Sequence, residues 1–254
     1  MFSYRAIYVI VLREFKRFFR QRGRLVTTAA RPLIWLFLVG VGLTSVIDTG
    51  SGVTYLQFIL PGVIGMTILF SSIFSTISVV WDREFGFLSE MLVAPISRVT
   101  IVAGKLVSGT ALSLFQGLAL LIVAPIVGIH VGLLQILAMA FFITVVSFAI
   151  TAFGLFIAAR LDSLEGFNVI MNFIVLPMFF LSGALYPIDA LPPWLRILTY
   201  CNPLTYGVDA FKHILLGGAA GTLAAELPLV LDFALLAVFA VVMTFLAAWA
   251  FGRR

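Results

Sequence analysis

The feature that most constrains this chain is the length of its uncharged runs. Residues 106–159 carry no Asp, Glu, Lys or Arg, and residues 49–81 carry none either. A membrane helix needs about 20 mostly apolar residues, whereas a barrel strand needs about 10 with alternation. Runs of this length therefore point to membrane-spanning helices. Composition agrees: 62% of the 254 residues are hydrophobic and 11% are charged, where a soluble domain holds about 25% charged residues. The expected fold is an all-α integral membrane protein. The single cysteine, Cys201, excludes an internal disulfide. The net charge of +5 follows membrane topology rather than a nucleic-acid footprint. The N-terminal apolar run shows no small-residue cleavage pattern, so no removable signal peptide is expected.

Six transmembrane helices are expected, over residues 25–47, 58–80, 101–127, 133–159, 167–186 and 233–252. Residues 1–24 read as an amphipathic interface helix. Ile7, Ile10, Val11, Phe15 and Phe18 share one side; Arg13, Lys16, Arg17 and Arg20 share the other, and Glu14 is an exception on the apolar side. Such a helix suits the headgroup layer of an anionic leaflet, with membrane lipids as partners. Gly62 and Gly65 let another helix approach the second span closely. Gly128 to Gly132 reads as a tight turn. Residues 187–221 contain four prolines with Trp194, Tyr200 and Tyr206 among apolar residues. That segment is too broken to span and too apolar to be a free loop. Two short external or re-entrant helices between spans five and six fit it, since broken backbone survives at membrane depth only when packed in protein or facing a cavity.

Lys and Arg set the expected orientation. With six spans both termini share a side, and that side holds fourteen of the basic residues against two, Arg196 and Lys212, on the other. The termini and the charged segment 81–98 are therefore expected in the cytoplasm. Segment 81–98 carries Asp82, Arg83, Glu84 and Glu90, yet also Phe85, Phe87, Leu88, Met91 and Leu92. Phe85, Leu88 and Leu92 recur at helical spacing, and Pro95 stops the pattern. The reading is a short surface helix whose apolar face meets a protein partner or the bilayer, or one that packs on its own bundle.

No nucleotide-binding loop is present: Gly104-Lys105 has Val99 where a Walker A glycine belongs and Leu106 after the lysine. His130 and His213 are far apart in sequence and suggest no metal cluster. The expected span middles lack the carboxylates and histidines that ion-coupled transporters bury along their path. No catalytic constellation can be assembled.

The order of elements resembles the permease subunit of ABC-2-type exporters. The resemblance rests on Glu90-Met-Leu-Val-Ala-Pro95 with Arg98, on Phe180-Leu-Ser-Gly-Ala-Leu-Tyr-Pro187, on Leu191-Pro-Pro-Trp194, and on Asn202-Pro-Leu-Thr-Tyr206. It covers essentially all of residues 1–254 as a single transmembrane domain. It implies a homodimer of permeases on two copies of a separate ABC ATPase, which would carry ATP and Mg, with no cofactor in this chain. It implies that segment 81–98 is a coupling helix: Asp82, Arg83 and Glu84 orient it, and Phe85, Phe87, Leu88 and Met91 fill a groove of the ATPase. The implied cargo is amphipathic, lipidic or lipid-linked, as for drugs, lipids or glycans. A stand-alone secondary transporter or channel is the alternative, and a membrane scaffold a weaker one. Thr67, Ser71, Ser75 and Ser78 form a polar stripe on the second span. Asn168 and Asn172 pair near the start of the fifth. In a dimer both could line a shared path, closed outside by Phe179 and Phe180; otherwise they bond across helix seams as packing groups.

Overall fold

The computed structural model describes residues 3–44, 53–86, 97–217 and 225–252, and every regular element among them is helical. Helix α1 (Tyr4–Arg20) begins where the Ser3 hydroxyl accepts from the Ala6 N–H and ends with Arg17 and Arg20 at its carbonyl end, where cations are favoured. After Gln21 comes α2 (Arg22–Trp35), continued by a π-helical stretch (Leu36–Val41) and a last turn, α3 (Gly42–Thr44). Helix α4 (Tyr55–Glu84) opens on a capping box, Thr54 with Gln57. Helix α5 (Arg98–Leu120) is capped by Ser97 and tightens into a 3-10 stretch (Leu121–Val127). Gly128 then adopts φ +85°, which turns the chain as expected. Helix α6 (Leu133–Ala158) follows. Helix α7 (Leu164–Ile170), a π stretch (Met171–Val175) and α8 (Leu176–Phe180) make one helical path. Two short helices, α9 (Pro193–Tyr200) and α10 (Pro203–Leu216), precede the last, α11 (Leu229–Gly252).

Helix α4 is the hub. It packs on α5, α6 and α10, while α1 lies along α5 and α11 lies along α6. In α4, 78% of the most apolar stretch is buried, against 17% in α11. The hub is thus a core helix, and α11 leaves most of its surface outside the bundle. Two glycines show how closely the hub is packed. A Cβ on Gly62 would meet the Ala184 carbonyl oxygen at 2.5 Å, and one on Gly109 of α5 would meet Ser75 Oγ at 2.4 Å. A Cβ at either position needs its neighbour to shift: the backbone of the Ala184 turn at Gly62, the Ser75 and Thr151 side chains at Gly109.

Among the described residues, four helices are long and apolar enough to cross a membrane: α4, α5 with its 3-10 extension, α6 and α11. Two shorter apolar helices, Ala30–Thr44 and Leu164–Phe180, stand where the first and fifth spans were expected. The fifth ends at Phe180 rather than Tyr186, because Leu181 leaves the helical conformation and Gly183 takes φ +69°. An apolar turn packed inside the protein has the composition of a membrane helix, so the run of residues misleads about length. The segment from Trp81 also differs from expectation. Trp81 to Glu84 form the last turn of α4, and Gly86, at φ +78°, lies just past it. Residues 187–217 do contain two short helices, as expected.

Candidate functional site: a basic-rimmed cleft and its ionic clamp

Where α1 crosses the foot of α4, four charged side chains meet. Lys105 Nζ of α5 donates to Glu14 Oε1 (2.8 Å), Asp82 Oδ2 (2.6 Å) and Ser78 Oγ (2.8 Å). Arg13 adds bonds to Asp82 Oδ2 (2.7 Å) and Glu14 Oε1 (3.1 Å). Two cations balance two carboxylates, and Lys105, Glu14 and Asp82 are all buried. Burial would raise the Glu14 pKa; the Lys105 ammonium, then the Arg13 guanidinium, outweigh it and hold the carboxyl below its ordinary range. The misfit of Glu14 on the apolar side of α1 is thereby explained: it faces Lys105, on the same side as Ile10 and Phe18, which are buried with it.

Beside this clamp lies a cleft of about 340 Å³ between α1, α2 and α4. Arg17 and Arg31 stand at it, each over an aromatic ring: Arg17 at 5.4 Å from Trp81 and Arg31 at 4.8 Å from Phe70. Phe18, Phe74 and Ile77 give it apolar wall, Thr67, Ser71 and Ser78 line it from α4, and Glu14 and Gln21 line it from α1 and its C-terminal end. A smaller apolar recess of about 220 Å³ adjoins it, sharing Thr67 and Gln116. Gln116 Nε2 donates to Ser71 Oγ at 2.6 Å, while Gln116 Oε1 is buried without a partner. Gln116 is thus a polar group of the cleft lining that no motif or spacing singles out.

The polar stripe of α4 divides. Thr67, Ser71 and Ser78 line the cleft, whereas Ser75 donates to the Ser72 carbonyl at 2.6 Å and faces Gly109 of α5. Ser113 Oγ also donates to Ser71 (3.0 Å), and Ser72 Oγ donates to Ser113 (3.0 Å), so a hydroxyl chain runs into the α4–α5 seam. Asn168 and Asn172 do not join the cleft. They lie exposed on the α7 side, with Asn172 Nδ2 donating to the Asn168 carbonyl at 3.1 Å. Phe179 is buried and Phe180 half exposed; both rings stand edge-on to Trp35.

The three charged residues at the end of α4 make intramolecular bonds. Asp82 belongs to the clamp. Arg83 donates to the carbonyls of Leu161 and Ala159 and reaches Asp162 at 3.3 Å. These carbonyls end α6, where a cation is favoured. Glu84 Oε2 accepts from the Leu164 N–H at 3.3 Å. Phe85 is 67% exposed and lies 5.2 Å from the Trp81 ring. Phe87, Leu88 and Met91 lie outside the described residues. His213, passed over in the sequence for want of a second histidine, stands beside Asp209 and Asp232.

The family model for the ABC-2 type transporter matches residues 5–216. The protein of Cyanophora paradoxa named transport permease ycf38 is 31% identical over 217 residues, covering 84% of this chain and 75% of its own length. The inner membrane transport permease YadH of Escherichia coli K12 is 27% identical over 252 residues, covering 98% of this chain and 95% of its own. Nodulation protein J of Rhizobium leguminosarum bv. viciae is 28% identical over 190 residues, covering 74% and 73%. With its helical hub, its apolar spans and a family match over most of its length, this chain belongs to the ABC-2 type transporter family of membrane permeases.

Proposed function

We propose that the chain is the membrane subunit of an ATP-driven exporter that moves an amphipathic, lipidic or lipid-linked solute outward across the cytoplasmic membrane. The observation that carries this reading is the cleft: Arg17 and Arg31 at its rim, apolar wall, hydroxyl-bearing residues, and a Glu14 carboxylate already neutralised by Lys105 and Arg13. The rim suits an anionic headgroup, the wall suits an acyl or aromatic body, and hydroxyls give hydrogen bonds without trapping an ion. Six crossings complete the picture. Helices Ala30–Thr44 and Leu164–Phe180 make the first and fifth by tilting little and drawing the bilayer thin around them. Both termini lie in the cytoplasm.

ATP and Mg belong to a separate ABC ATPase, bound in two copies by a homodimer of this chain. The ATPase docks on Phe85, Phe87, Leu88 and Met91, directly after α4. Asp82 sits in the buried clamp and Arg83 and Glu84 hold α6 and α7, so a push on this segment is passed to α1, α4, α5 and α6 together. The exposed face of α7 and α8, with Asn168, Asn172 and Phe173, is offered to the second copy. Co-purification with an ABC ATPase, and ATP hydrolysis that depends on this chain, test the assignment. Phe85→Ala with Leu88→Ala should keep the permease folded and lose coupled transport; normal transport in that variant would refute the docking role. Absence of any ATPase partner would favour a stand-alone transporter.

A further inference from the structure

We propose that Asp209, His213 and Asp232 bind one divalent cation, Zn2+ by the chemistry of the donors, at the end of the bundle remote from the Lys105 clamp. The site stands independently of the transport reading. Helix α10 carries Asp209 and His213 one turn apart, on the same face. Helix α11 carries Asp232 in its first turn, against them. One ligand atom from each residue lies within 4.8 Å of the other two. Tetrahedral zinc with bonds of about 2.0–2.2 Å holds its ligand atoms about 3.4 Å apart, so the three side chains would draw together by rotamer adjustment on binding.

The second observation is Asp232 itself. Its exposure is 0%, neither carboxylate oxygen has a donor among the described residues, and the Asp209 carboxyl lies against it. A buried carboxylate without a partner is costly, and a second carboxylate beside it adds like-charge repulsion. Every other charged group near it is already engaged. Asp209 accepts the Glu226 and Leu227 N–H groups at 2.9 Å each, which fixes its plane and leaves further lone pairs. Glu226 turns the other way, accepting from the Ile188 N–H at 2.7 Å. Lys212 points its ammonium over the Phe58 ring, 4.7 Å from the centroid, and forms no ion pair with Asp209 or Asp232. His213 Nε2 meets the Leu227 carbonyl oxygen. Backbone carbonyls hold metal-ligating imidazoles in this way, and the other ring nitrogen is then the unprotonated one. Two carboxylates and a neutral imidazole carry a charge of −2, which a divalent cation cancels. Three protein donors leave a position for water, as in open zinc sites. The ion would tie the start of α11 to α10 and to the loop at 225–228.

The test uses the full-length chain with Cys201→Ser, purified in detergent and stripped with a chelator. Zn2+ is titrated calorimetrically, and Co2+ is followed by its visible absorption. About one Zn2+ per chain should bind and raise the thermal transition, and Asp232→Asn and His213→Gln should each weaken binding at least tenfold. In chelator, Asp232→Asn should be as stable as the parent or more so, because it removes an unpartnered charge. If the parent binds no Zn2+, or if both variants bind as tightly as it does, the proposal fails and a proton shared by the two carboxyls takes its place. His213→Gln carries the test should Asp232→Asn not fold.

Discussion

Lys105 is the residue on which the clamp turns. Its ammonium touches Glu14, Asp82 and Ser78 together. Lys105→Met keeps the length of the side chain and removes the charge. Two buried carboxylates then face each other with Arg13 alone. Removing one partner of a buried ion pair costs about 3–5 kcal/mol, because a charge is left without compensation. Thermal unfolding in detergent should show a loss of that order, and adding Glu14→Gln should recover part of it. The Glu14 carboxyl also sets a pH dependence. Its folded pKa lies below its ordinary value, so its contribution is fully present above the ordinary glutamate pKa and is lost as pH falls through the lowered folded value. The gap in melting temperature between the parent and Glu14→Gln should therefore be widest near neutral pH and close on acidification below the ordinary glutamate range. A gap that widens with acid would contradict the ion-pair assignment.

At the scale of elements, the hub makes two predictions that differ in sign of space. Gly62→Ala drives a methyl into the Ala184 backbone, which cannot swing aside as a side chain could. Overpacking of this kind costs about 1–3 kcal/mol. Gly23→Ala, with nothing within 4 Å of its Cβ position, should change stability by less than about 0.5 kcal/mol. Along α4, Ser75→Trp should destabilise the protein, because Ser75 faces Gly109 in the seam. Thr67→Trp should instead fill the cleft and leave the melting temperature near that of the parent while blocking transport. Equal damage from both would mean that Thr67, too, belongs to the seam. These elements show what a sequence can and cannot reveal. The hub, α5, α6 and α11 were legible as long uncharged runs, and α1 as a helical alternation of Phe and Arg. The partners of Glu14 were not, since Asp82 and Lys105 lie 68 and 91 positions away and periodicity carries no distance between helices; the misplaced charge was the only trace. The turn at 181–187 was misread because packed turns and spans share an apolar composition. The sixth span is expected from residue 233, whereas α11 begins at Leu229 and takes Asp232 into its first turn.

For the whole molecule, orientation follows from how charge is divided between the two ends. Helix α4, of 30 residues, is about 45 Å long and exceeds the roughly 30 Å hydrocarbon layer. Its foot, with Arg83 and the clamp, lies at the end where Arg98 of α5 donates to the Gly252 carbonyl of α11 at 2.6 Å. Helix α11 begins near Asp209, at the opposite end of the bundle from the clamp. In the proposed six-span topology fourteen basic residues fall on the clamp side and two on the other, a bias that would retain the clamp end in the cytoplasm during insertion. A cysteine at Leu191, in a Cys201→Ser background, should react with a membrane-impermeant thiol reagent on intact cells. A cysteine replacing Phe85, which is exposed at the foot of α4, should react only after the membrane is ruptured. The Cys201→Ser change is needed because Cys201 is itself exposed, at the end of α9. Labelling of the Phe85 position on intact cells, with the Leu191 position protected, would invert the molecule. It would also put the ATPase-docking segment on the side of the membrane that holds no ATP.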